Sequence, residues 1–178
     1  MIRPHSAFLF LMLLLVPVGG CASVDLDVLS GLHLTMAGTS MEPTIKKGAR
    51  LTARRVGDGY VPHVGDVIVY HRPPSWSDGD SDPEGMYVAR VIGTPGSTVK
   101  CCDAHGRLEL DGKPLDEPYV AASPASSLDF DAQVPPGRAW IMGDNRDVSL
   151  DSRSHRDADG GGTIGVSDVV GVVESPAG

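Results

Sequence analysis

Tyr87-Val88-Ala89-Arg90-Val91-Ile92-Gly93-Thr94-Pro95-Gly96-Ser97-Thr98-Val99 reads as strand, turn, strand. Pro95 fixes φ and lacks an N–H, while Gly96 tolerates positive φ, so the pair ends one extended run and begins another. The same texture recurs outward from this stretch. Alternating or β-branched runs at Ala49–Val56, Asp66–His71, Met86–Gly93, Thr98–Cys101, Arg107–Leu110, Arg138–Met142 and Val169–Val173 predict strands. Asp111-Gly112, set between Arg107–Leu110 and Lys113–Leu115, is a two-residue hairpin signal, because a type I′ turn requires positive φ at both central positions. Long helical periodicity is missing beyond the first twenty residues. With 22 Gly, 14 Pro and only 5% aromatic residues, the composition favours a turn-rich fold over a helical bundle. The expectation is a mainly β protein of antiparallel sheets, with Arg72–Gly85, Ala121–Gly137 and Ser154–Gly162 as surface loops.

The chain has 178 residues, enough for one sizeable core. It opens with a single positive charge, Arg3, an apolar run from Ala7 to Val18 and a small-residue exit, Gly19-Gly20-Cys21. That run is short for a spanning helix, which needs about 20 apolar residues, and Pro17 and Gly19 break it. Residues 1–20 therefore read as a signal peptide, with Cys21 as a lipidation site of the bacterial lipoprotein kind. An uncleaved anchor is the alternative. Either way the domain at residues 34–178 is expected outside the cytoplasm, tethered to the membrane by lipid or by its N-terminal segment. The formal charge of −8, without a basic stretch, argues against a nucleic-acid partner. Cys101 and Cys102 are adjacent, and the ring that would join them is small, so no disulfide is assumed. Cys101-Cys102-Asp103-Ala104-His105 lacks a second ligand pair at finger spacing, so no metal is assigned.

Gly38-Thr39-Ser40-Met41-Glu42-Pro43-Thr44 is the stretch that suggests chemistry. A small-residue turn holds Ser40, an apolar side chain follows, and a Pro stiffens the exit. A nucleophilic hydroxyl needs a fixed, accessible position, and a tight turn also aims its own backbone N–H at a developing oxyanion. Gly38 is expected to let the chain approach closely. Alone, a Ser in such a turn is equally a surface hydroxyl or a helix cap. Two further stretches follow in order, the strand around Ala89-Arg90 and Ile141-Met142-Gly143-Asp144-Asn145-Arg146-Asp147-Val148-Ser149-Leu150-Asp151-Ser152-Arg153. The polar residues of the latter also read simply as turn residues that satisfy backbone donors and form partial ion pairs.

Together these boxes resemble the bacterial type I signal peptidases. The order is a Ser box, a K-R-V-[IV]-G-x-P-G box, a G-D-N-R…S-x-D-S-R box and a closing strand, here Gly162-Thr163-Ile164-Gly165…Val169-Val170-Gly171. Gly112-Lys113-Pro114-Leu115-Asp116-Glu117-Pro118-Tyr119 is similar to the family's N-G-x-P-L-x-E-x-Y hairpin. The resemblance covers about Met36 to Val173. It implies an antiparallel β catalytic core, a Ser/Lys dyad, no cofactor, and secretory precursor peptides as substrates, cut after small residues at positions −3 and −1. It makes Ser40 the nucleophile and oxyanion donor, with Gly38, Met41, Pro43, Arg90, Gly143, Asp144, Asn145 and Arg146 as supporting positions. Ser149 would orient the amine, and Asp151 and Arg153 would form an ion pair beneath the site.

The chain departs from the family at the dyad, because the Lys position holds Ala89. A desolvated Lys can be neutral and accept the Ser proton; a methyl group cannot. Lys46 and Lys47 read as solvated charges, Lys100 as an exposed strand residue, and His33, His63, His71, His105 and His155 are scattered. His155 is the one nearest a motif. Two readings stay open: an endopeptidase with another base, or a catalytically silent relative that binds extended peptides or a secretion partner.

Overall fold

The computed structural model describes residues 31–76 and 85–176. Cys21 and the first twenty residues lie outside them. Eleven strands form two antiparallel sheets. The larger contains β1 (Leu32–Thr35), β2 (Arg50–Arg55), β3 (Val67–His71), β4 (Met86–Gly93), β9 (Arg138–Met142), β10 (Ile164–Gly165) and β11 (Val169–Pro176), in the order β1-β2-β11-β3-β4-β9-β10. The smaller holds β5 (Thr98–Cys101), β6 (Glu109–Leu110), β7 (Lys113–Pro114) and β8 (Phe130–Gln133), in the order β7-β6-β5-β8. Short 3-10 turns lie at Pro74–Trp76, Ser152–His155 and Val166–Asp168.

All seven predicted strands are present, Met86–Gly93, Thr98–Cys101 and Arg138–Met142 with the predicted bounds and the others with ends shifted by one to three residues. Asp111 and Gly112 have φ of 52° and 72°, the positive values that the hairpin between β6 and β7 demands. Ala121–Gly137 is not wholly loop, as expected, because Phe130–Gln133 forms β8 and pairs with β5 from Thr98↔Gln133 to Cys101↔Phe130. Its Phe130 is buried and stacks on Trp140, ring centroids 5.1 Å apart. Burial of that one aromatic anchors a segment whose remaining residues are polar or small. Cys101 and Cys102, for which no disulfide was assumed, are joined by one. Their peptide bond is cis, with the Cα atoms 3.0 Å apart.

The core follows the strand alternation. Ile68 and Tyr70 of β3, Ala89 and Val91 of β4, and Ala139 and Ile141 of β9 pack on one face with Trp76, Ile164 and Val169. Ile92, Val99, Leu108, Phe130, Val134, Trp140 and Met142 fill the space beside the second sheet. A third cluster of Met36, Met41, Ile45 and Leu51 seats the segment after β1. In a flat sheet β1 and β4 would stand about 19 Å apart at ~4.8 Å per strand. Residues of both line a single cleft, so the sheet is curled around it. Among the described residues, no helix is long and apolar enough to cross a membrane.

Candidate active site

The cleft has a volume of about 580 Å³, within the range of ligand-binding clefts. Leu34, Thr35 and Met36 form one wall, and Met86, Tyr87, Val88 and Ala89 form another. Ser40, Gly143, Ser149 and Asp151 complete it. Both walls are strand edges. β1 ends the sheet order and pairs only with β2, while β4 gains β9 as its second neighbour only from Arg90 onward. Among the described residues, the backbone of Met86–Ala89 thus pairs on one side only, with β3.

Ser40 sits half-buried in a run of turns that the next residue anchors, since Met41 is fully buried among Met36, Ile45 and Leu51. The Glu42 N–H donates to Thr39 O at 3.1 Å and the Ile45 N–H to Met41 O at 2.8 Å. Three bonds then clamp the turn from the far side. The Asn145 N–H donates to the Ser40 carbonyl at 2.9 Å, the Asn145 side-chain amide to Thr39 O at 3.1 Å, and the Ser149 hydroxyl to Ser40 O at 3.0 Å. Ser149 also lies 2.8 Å from Asn145 O. All three occupy carbonyls, and none uses the Ser40 N–H.

Ser149 was expected to orient an amine. In the structure its hydroxyl engages the Ser40 and Asn145 carbonyls and so supports the turn. Gly38 also differs from expectation. An added Cβ there meets nothing within 4 Å, so no close approach requires glycine. The close approach is at Gly143, where a Cβ would come 2.6 Å from Ser40 O and collide with the Ser149 side chain. Gly143→Ala should therefore destabilise by about 1–3 kcal/mol through overpacking, whereas Gly38→Ala should stay within about 0.5 kcal/mol. Urea unfolding of both variants checks this, and an unchanged midpoint for Gly143→Ala would contradict the tight contact.

Behind the cleft lie three ion pairs, and they are not the partial surface pairs that polar turn residues suggest. Arg90 binds both carboxylate oxygens of Asp144, at 2.8 and 2.6 Å, and also donates to Gly65 O. Burial works against the charged guanidinium, but the Asp144 carboxylate more than offsets it and holds Arg90 above its ordinary value. Arg153 binds Asp151 through two nitrogens, both at 2.8 Å, and Asp151 also accepts from the Gly143 N–H at 3.0 Å. Arg146 pairs with Glu117 at 2.6 Å and donates to Gly143 O and Ala125 O. Pro43 is exposed, at the end of a cis Glu42-Pro43 bond, and does not line the cleft.

A general base must reach the hydroxyl proton directly or through one water. Among the described residues lining the cleft there is no Lys and no His. Lys46, Lys47 and Lys100 are exposed on other surfaces. His155 stacks on Trp76 at 4.4 Å between centroids and does not line the cleft. Ala89 is 3% exposed, opposite Ile68 in the β3–β4 register. The titratable groups that do line the cleft are Tyr70, Tyr87 and Asp151. Asp151 is taken up by Arg153 and Gly143. Burial, and secondarily the charge of Asp151, push the Tyr70 phenol well above its usual range, so it stays protonated and can donate but not accept a proton. Tyr70 was not singled out from sequence, although the alternation of β3 puts it on the face of Ile68.

The sequence matches the profile of the family described as signal peptidase, peptidase S26, over residues 8–177. The chain belongs to that family. Among its S26 relatives, a probable signal peptidase I-1 from Synechocystis sp. is 39% identical over 64% of this chain and 57% of its own length. Signal peptidase I of Mycobacterium tuberculosis is 34% identical over 74% of this chain and 60% of its own. A crystal structure of a signal peptidase I from Enterococcus faecalis V583 aligns at 29% identity with a TM-score of 0.47, covering 64% of this chain and 97% of that one. The matched stretch thus spans less than two thirds of the Synechocystis and Mycobacterium signal peptidases.

Proposed function

We propose that this cleft binds secretory-precursor peptides in extended form, at the outer face of the cell membrane, and that hydrolysis at Ser40 is slow or absent because none of the described residues lining the cleft carries an amine or an imidazole. The observation that carries this reading is the composition of the cleft: a rigidly held Ser40 and Ala89 share its lining, with neither Lys nor His among the described lining residues. Two strand edges that no described residue pairs, those of β1 and the first half of β4, offer N–H and C=O groups to an extended chain by strand addition. That mode of binding does not depend on a base. Membership of a signal peptidase family supports precursor peptides as the class bound, with small residues at −1 and −3.

Where turnover occurs, Ser40 Oγ would attack the scissile carbonyl and the Ser40 N–H would stabilise the oxyanion, as in other serine acyl transfers. The missing step is removal of the hydroxyl proton. Titration of a fluorescent Ala-x-Ala precursor peptide with the full chain tests the binding part. Saturable binding is expected, with marked weakening when both Ala residues become Phe. Equal affinity for the two peptides would sink the proposed specificity.

A further inference from the structure

What holds the site from behind includes a segment that does not line the cleft at all. Glu117 and Tyr119 follow β7 and are both half-buried. We propose that Glu117 and Tyr119 form a two-armed clamp that positions the Ser40 turn through the residues flanking Asn145. The role rests on the reading of Ser40 as the reacting residue.

The first arm runs through Arg146. Glu117 accepts from Arg146 at 2.6 and 3.3 Å, and the two side chains are 6% and 1% exposed. Arg146 Nε in turn donates to Gly143 O at 3.0 Å, which closes residues 143–146 on themselves. The second arm runs through Arg90. The Tyr119 hydroxyl donates to Glu117 at 3.0 Å, and its ring lies 3.9 Å from the Arg90 guanidinium, which grips Asp144 with two bonds. Asp144 and Arg146 are thereby both held by one segment, and the residue between them is Asn145. Its N–H and side-chain amide are two of the three bonds that fix the Ser40 and Thr39 carbonyls.

The physical logic is short-range. Only one peptide plane separates Asn145 from each held neighbour, so a shift of either moves the donor on Ser40 O. Misplacing a reacting group by about 1 Å can lower a rate by about 10²-fold, without changing how a substrate is gripped elsewhere. In the low-dielectric setting behind the cleft, neutralising Glu117 leaves the Arg146 charge without its partner, and the guanidinium is free to seek other acceptors. Burial and the neighbouring Glu117 carboxylate keep the Tyr119 phenol protonated, as its donor role requires.

The test uses the full chain in detergent micelles, with Glu117→Gln and Tyr119→Phe made separately in wild type and in Ala89→Lys. Turnover of an Ala-x-Ala precursor peptide is measured in the Lys background, and the backbone amide signals of Ser40 and Asn145 are measured by NMR in wild type. Glu117→Gln should lower kcat by about 10- to 100-fold with KM changed by less than about threefold, and Tyr119→Phe should do the same to a smaller extent. Both should move the Ser40 and Asn145 signals while distant strands such as β8 keep theirs. Unchanged kcat together with unchanged Ser40 and Asn145 signals would overturn the clamp. So would a joint fall of kcat, peptide binding and melting temperature with shifts spread over both sheets, which is what mere loss of stability produces. If Glu117→Gln does not fold, Tyr119→Phe carries the test. If the Ala89→Lys parent shows no turnover, that failure belongs to the peptidase reading, and the amide signals alone decide the clamp.

Discussion

Ala89→Lys is expected to raise cleavage of an Ala-x-Ala precursor by about 10² to 10⁴ over wild type, the usual contribution of a positioned general base. Ala89 lines the same cleft as Ser40 and lies 3% exposed, paired with Ile68 and surrounded by Tyr70, Val91 and Ile141. An amine at the end of a side chain rooted there would leave an apolar cluster and emerge into the cleft. Desolvation along that path lowers its pKa, so a usable fraction is neutral near pH 7. Tyr70 and Ser149 line the same cleft. The new activity must vanish in the double variant with Ser40→Ala. If wild type already cleaves and the Lys variant is slower, a base outside the described cleft lining operates, and Ala89 is not a vacated position.

Asp151→Ala should be among the most destabilising single changes in the domain, by about 3–5 kcal/mol, because it strands a buried arginine. Arg153 and Asp151 side chains are each 3% exposed. The carboxylate satisfies two Arg153 nitrogens, the Arg153 N–H at the start of the 3-10 turn and the Gly143 N–H. Its removal leaves a charge and two backbone donors unpaired at once. Urea unfolding followed by tryptophan fluorescence would report the loss through Trp76 and Trp140, both buried. A change below about 1 kcal/mol would mean that water or another acceptor replaces the carboxylate, as at an exposed pair.

How far the sequence could be read depended on the range of the interaction involved. β4 and its Pro95-Gly96 turn, β9, and the Asp111-Gly112 hairpin were legible, because alternation and turn chemistry act over a few residues. β1 and β8 were not. Leu32–Thr35 is four residues long and Phe130–Gln133 has one large apolar side chain, so their pairing partners, β2 and β5, decide them. At the site, Ser40, Ala89, Gly143, Ser149 and Asp151 were named from motifs and do share a cleft. The motifs did not carry the direction of each hydrogen bond. Ser149 turned to the Ser40 carbonyl, and the close packing assigned to Gly38 belongs to Gly143, because these depend on contacts across more than one hundred residues of chain. Glu117 and Tyr119 were visible as part of a hairpin motif, yet nothing local says that they reach Arg146 and Arg90.

Whether a cleft with no Lys or His among its described lining residues turns over substrate is read by mass spectrometry of an Ala-x-Ala precursor recovered after incubation with the wild-type chain and with Ser40→Ala. Both are expected to bind the peptide and return it intact over times in which Ala89→Lys cleaves it fully. Fragments cut after the small residue, formed by wild type and abolished in Ser40→Ala, would contradict this.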